Sequence, residues 1–144
     1  MRALAFAALV LAGAVSAAAT AADAPYWPAD AKVYIISPHN GAKVKSPVTV
    51  VFGLKGLGVA PAGVKAENTG HHHLLIDTPV PTDLSAPLPK NANILHFGKG
   101  QTETSLAADA LPPGKHTLQL IVGDESHVPH DPPLVSKPIT ITVE

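Results

Sequence analysis

The sequence predicts an all-β chain folded as an immunoglobulin-like β-sandwich of about seven strands. Three observations carry that expectation. Short runs rich in valine, isoleucine and threonine recur along the chain, several with apolar residues at alternate positions, the period of a half-buried strand. Turn signals drawn from 15 prolines and 11 glycines in 144 residues separate these runs. No stretch after the N-terminal segment carries the sustained 3.6-residue apolar period of a long helix.

Lys32–Ser37 reads as the first strand, closed by a turn at Pro38-His39-Asn40-Gly41, and Val48–Leu54 reads as the second. Gly56–Gly70 is a loop that runs straight into His71–Asp77, the third strand. Pro79–Asn93 holds four prolines and is expected to be irregular. Ile94–Phe97 and Gln101–Leu106 flank Gly98-Lys99-Gly100 in the pattern of a hairpin. A short helical turn is expected near Leu106–Leu111. Lys115–Val122 is the sixth strand, with apolar residues on one face, and Leu134–Val143 the last, its alternation clearest after Pro138.

At the N-terminus, Met1-Arg2 precedes an apolar run over Ala3–Ala12, and small residues continue to Ala22. This is the layout of a secretory signal peptide over 1–22, leaving one β-sandwich domain over 23–144. The run is shorter than the roughly 20 apolar residues needed to cross a bilayer, so no membrane span is expected after cleavage. A periplasmic or secreted location follows as an expectation.

Composition removes several function classes. The chain has no cysteine, which excludes disulfides, thiolate metal sites and a catalytic thiol. Ten basic and 11 acidic residues nearly cancel, so no broad field favours nucleic acid. The one methionine is Met1, so an exported form would contain no sulfur and a soft Cu(I) site is disfavoured.

What remains is histidine, eight of them, seven between His71 and His130. Strand alternation puts His71, His73, Leu75 and Asp77 on one face of the third strand and His72, Leu74 and Ile76 on the other. Leu74 and Ile76 mark the core side, so His71 and His73 are expected to face a wetter environment, about 6 to 7 Å apart. In this fold class the loops after the second, fourth and sixth strands gather at one end. His71, His73, His96, His127 and His130 are therefore expected to cluster, with His72 beneath them and His39 and His116 at the other end. Imidazole ligates Zn(II) and Cu(II), so this set is a candidate site for either ion. Asp124, Asp131 and Glu103 are candidate oxygen ligands or partners that fix imidazole tautomers. Ligation needs neutral imidazole, so binding is expected to weaken as pH falls below about 6.

Plainer roles stand beside this one. His116 suits a hydrogen-bonding corner, His72 a buried core position and His39 a solvated turn. Adjacent histidines also serve polar networks, and the proline-stiffened His127–His130 loop suits a recognition surface. The alternative function is thus an interaction module of the cell envelope, contacting a protein or glycan. An enzyme is not expected, since the chain lacks G-x-S-x-G, H-E-x-x-H and C-x-x-C. Phe97–Thr102 has the wrong spacing for a phosphate loop, and Ser126 beside His127 has no orienting acid.

Four segments occur together in order: Gly70-His71-His72-His73-Leu74-Leu75-Ile76-Asp77, His96-Phe97-Gly98-Lys99-Gly100-Gln101-Thr102-Glu103, Pro113-Gly114-Lys115-His116-Thr117-Leu118-Gln119-Leu120, and Gly123-Asp124 through His127-Val128-Pro129-His130-Asp131-Pro132-Pro133. In this combination the chain resembles the bacterial exported family called domain of unknown function 4399, over most of its length from about Ser37 onward. The resemblance implies a small periplasmic or secreted domain and brings no activity or assigned residues with it.

Overall fold

The computed structural model describes residues 24–144, so the signal peptide expected over 1–22 lies outside the described residues. Nine strands follow in order: β1 Lys32–Ser37, β2 Lys43–Val44, β3 Val48–Lys55, β4 Gly58–Val59, β5 Thr69–Ile76, β6 Ile94–His96, β7 Glu103–Leu106, β8 Gly114–Gly123 and β9 Ile139–Val143. The seven expected strands are all present. β2 and β4, two residues each, are too short to leave a periodic signal in the sequence.

The strands form the two sheets of an immunoglobulin-like β-sandwich. One is β1-β3-β7, and the other runs β2-β9-β8-β5-β4, with β6 also paired to β5. The chain changes sheets between β1 and β2, where the Asn40 side chain accepts from Thr140 N at 2.8 Å and Gly41 N donates to Thr140 O at 2.7 Å. Val33, Val50 and Phe52 from the smaller sheet meet Leu74, Leu118, Leu120, Val122 and Ile141 from the larger in one buried core. Their alternation along each strand is what the sequence pattern encoded. Among the described residues no helix is long and apolar enough to cross a membrane.

Two expectations need correction. Ile94–Phe97 and Gln101–Leu106 do not form a hairpin: β6 pairs with β5, whereas β7 pairs with β3 in the opposite sheet. Phe97 is the reason, since its buried ring packs on Phe52 at a centroid distance of 4.8 Å and draws the connection across the edge of the sandwich. The last strand begins at Ile139, not Leu134. Upstream, Val135 forms only an isolated bridge with Ile121, and Pro138 has no N–H to continue the ladder. The short helical turn expected near Leu106–Leu111 is present as a single turn, with Leu111 N donating to Ala107 O at 2.9 Å.

The proline-rich segment between β5 and β6 is irregular, as expected, but it is not merely a connection. Leu88 and Val80 join Leu75, Ile94 and Ile121 in a second apolar cluster on the outer face of the larger sheet. β5 is consequently covered on both faces, and every residue from Gly70 to Ile76 is buried.

At the end of β5 a polar corner ties it to β8. His116 Nδ1 lies 2.7 Å from Asp77 Oδ2 and His116 Nε2 lies 2.7 Å from Pro112 O, while Thr117 N donates to Asp77 Oδ1 at 2.7 Å. Both ring nitrogens face acceptors, so the ring donates twice as an imidazolium. Burial opposes that charge, but the Asp77 and Pro112 acceptors outweigh it and raise the His116 pKa above its ordinary value.

Two outcomes follow from these contacts. Leu120→Ala, at a fully buried core position, is expected to lower unfolding free energy by about 2–5 kcal/mol in urea titration. For the corner, a raised folded-state pKa means its stabilisation is complete below the unfolded value of about 6.5 and is lost as pH climbs through the raised one. The urea midpoint of the wild type should therefore exceed that of His116→Gln most at about pH 6, with the gap closing toward alkaline pH. A gap independent of pH would contradict the charged corner.

Candidate metal site

The larger sheet places two imidazoles on the outer face of β5. His71 and His73 stand two residues apart with ring centroids at 4.8 Å. They do not face the wetter environment expected from the sequence: they are 1% and 0% exposed. Alternation along β5 identified the shared face, but not the chain that covers it.

β6 supplies the third ring. His96 is the register partner of His73, and its ring swings over Gly98 to bring Nε2 within 3.2 Å of His71 Nε2. A Cβ at Gly98 would overlap the His96 ring, so the close approach depends on glycine there.

The fourth ring comes from the loop after β8. Asp124 organises this loop: its Oδ1 accepts from Ser126 N at 2.8 Å and Val128 N at 2.9 Å. Its main chain closes the same turn, with His127 N donating to Asp124 O at 2.9 Å and Asp124 N to Val128 O at 3.0 Å. His127 adopts a left-handed backbone, φ 70°, uncommon for a residue with a side chain. Its carbonyl accepts from Leu88 N at 2.8 Å, so the proline-rich cover and the histidine loop are joined. Gly123 admits this loop against β5, because a Cβ there would sit 2.9 Å from His73 Cε1 and 3.1 Å from His127 Cα. The loop after β4 closes the same end, with Ala62 N donating to Gly98 O at 2.9 Å and Gly63 N to Glu125 O at 2.8 Å.

One donor nitrogen from each of His71, His96 and His127 lies within 4.8 Å of the others, close enough to share an ion. Two donors held at 2.0–2.1 Å by one ion with an angle of about 100° stand roughly 3.2 Å apart, the separation seen between His71 and His96. His73 packs on all three rings, at 4.8 Å from His71, 5.1 Å from His96 and 5.9 Å from His127. His71 Nδ1 and both nitrogens of His73 are buried without a hydrogen-bond partner. Leaving a buried polar group unsatisfied costs about 1–3 kcal/mol, so the cluster carries a polar demand that protein atoms do not meet.

Burial lowers the His71 pKa to about 4, helped by the charges His96 and His127 would carry and opposed by Asp124. Burial likewise lowers His73 to about 3, with His71, His96 and His127 adding to it, and lowers His96, aided by His127 and Lys90. These three rings are neutral at neutral pH, the form that ligates.

The remaining sequence candidates fall elsewhere. His130 does not join the four rings: its Nε2 donates to Asp124 Oδ2 at 2.8 Å and its ring stacks on Tyr26 at 3.5 Å. The left-handed backbone at His130, φ 61°, accompanies this outward turn. His130 instead braces the loop, as does Trp27, whose indole donates to Pro129 O at 2.7 Å. Asp124 is committed to the loop and His130, and burial, which opposes its charge, is outweighed by those donors so that its pKa is lowered. Glu103 and Asp131 are exposed and outside the three-donor group. His72 faces the core against Phe52 at 5.2 Å, and His39 is exposed at its turn. Sequence reasoning missed the spacing role of Gly98 and Gly123 and the bracing role of Asp124, although Asp followed two residues later by Ser is a recognised turn signal.

No curated protein matches the chain significantly. Among solved structures, the endo-β-1,4-mannanase from Thermotoga petrophila is similar at 17% identity and a TM-score of 0.44, with 80% of this chain covering 20% of that one. Residues 50–144, more than half of the sequence, match the model of the family described as Domain of unknown function (DUF4399), and the chain belongs to that family.

Proposed function

We propose that this chain is an exported, non-enzymatic domain that binds a divalent transition metal, Zn(II) or Cu(II), through His71, His96 and His127, with His73 packed behind them. The observation that carries the reading is the convergence of three imidazole donors within 4.8 Å from β5, β6 and the loop after β8. Rings that are neutral at neutral pH, and buried nitrogens with no protein partner, support it. The absence of sulfur after Met1 favours borderline ions over Cu(I). Export rests on the apolar N-terminal run and the small residues that follow it.

Calorimetric titration of the chain without residues 1–22, purified without affinity resin, is expected to show one saturable site for Zn(II) or Cu(II). His96→Ala and His127→Ala, neither fully buried, should each weaken binding by at least about tenfold, with His39→Ala unchanged. Binding that survives both ligand changes, or no saturable binding at all, would sink the metal reading and leave the envelope interaction module in its place. Gly98→Ala offers a finer check, since its methyl displaces the His96 ring: affinity should fall while circular dichroism stays the same.

A further inference from the structure

We infer that the site is a closed four-histidine centre, with His73 as its fourth ligand, built for an ion of tetrahedral preference in the class of Zn(II). This rests on the reading that His71, His96 and His127 hold a metal, and concerns the coordination number and geometry of that same site.

The four rings are nearly equidistant. All six separations between the centroids of His71, His73, His96 and His127 lie between 4.6 and 5.9 Å. Four points with six similar separations form a tetrahedron. A square, the arrangement favoured by Cu(II), would make one opposite pair of separations about 1.4 times the rest. No pair behaves that way here: the opposite pairs are 4.8 with 4.6 Å, 5.0 with 5.9 Å, and 5.0 with 5.1 Å.

The size also fits. Nitrogens 2.0–2.1 Å from a tetrahedral ion place imidazole centroids about 3.2 Å from it and hence about 5.2 Å from one another. The observed separations bracket that value. His71, His96 and His127 already hold a nitrogen each within 4.8 Å of the others; no His73 nitrogen is in that group, but its ring occupies the remaining vertex. Neither of its nitrogens has a hydrogen-bond partner, so turning the ring about its Cβ–Cγ bond to present one breaks no bond.

The backbone resists flattening this set. His71 and His73 are fixed by pairing with Gly123 and Ile121 of β8, and His96 by pairing with His73. Gly98 and Gly123 bring main chain against the His96 and His73 rings, which restricts their lateral movement. His71 and His73 are sealed from solvent while His96 and His127 are partly exposed, so His73 stands on the closed side of the cluster.

Co(II), a spectroscopic stand-in for Zn(II), distinguishes the coordination numbers, because four-coordinate tetrahedral Co(II) absorbs far more strongly in the visible than five- or six-coordinate Co(II). The chain without residues 1–22, loaded with Co(II) to full occupancy, should show intense visible bands that Zn(II) abolishes by displacement. In His73→Phe, which preserves bulk, and His73→Gln, the bands of bound Co(II) should weaken and Zn(II) affinity fall by about tenfold or more. If neither variant folds, wild-type bands that stay intense and unchanged between about pH 7 and 9 decide for His73, because a water in the fourth position would titrate near neutral pH and shift them. Weak bands at full Co(II) occupancy, with Zn(II) affinity unchanged in a folded His73 variant, would overturn the four-ligand centre while leaving metal binding standing. Failure of the wild type to retain Co(II), Zn(II) or Cu(II) would overturn both.

Discussion

Neutral imidazole sealed inside a sheet, with ring nitrogens left without a partner, is the constraint around which one end of this molecule is organised. A β-strand with one solvated face would let His71 and His73 hydrogen-bond to water. Here β5 is central in its sheet and covered on both faces, so water is withheld from their nitrogens. Burial then holds both rings uncharged, which removes the repulsion that four protonated imidazoles would otherwise impose at these distances. Neutral imidazole is the form that ligates a metal ion.

Bringing that set together takes backbone from four places in the sequence. The proline-rich segment lays Leu88 over the outer face of β5 and binds the His127 carbonyl, so the apolar cover and the presentation of a ring depend on one another. Asp124 performs a comparable double task, satisfying two main-chain donors of the loop and anchoring His130. Histidines of similar spacing thus acquire different duties: His127 turns inward to the cluster, while three residues later His130 turns outward to Tyr26 and the carboxylate.

The opposite end of β5 shows the contrasting way to bury an imidazole. His116 has an acceptor for each ring nitrogen and is stabilised as a cation, whereas His71 Nδ1 and both nitrogens of His73 lack partners and their rings are held neutral. Within one strand pair, then, the same side chain is driven to opposite charge states by its partners. The polar corner has its hydrogen bonds complete and reads as structural. The cluster, like His72 in the core, has them incomplete.

The β-sandwich itself was written in the sequence, because strand periodicity and turn residues are local properties that survive being read one residue after another. β1 was legible to its ends for that reason, and the shared face of His71 and His73 followed from the two-residue repeat. The meeting of the loops after β4, β6 and β8 at one end followed from the topology of the fold class. Three-dimensional packing decided the rest. Phe97 sent the chain between sheets where a hairpin was expected, Leu88 closed over a face that alternation alone marked as wet, and Asp124 drew His130 out of the cluster. Each of these depends on which distant atoms compete for a surface or a hydrogen bond, and such competition is settled only when the whole chain has collapsed.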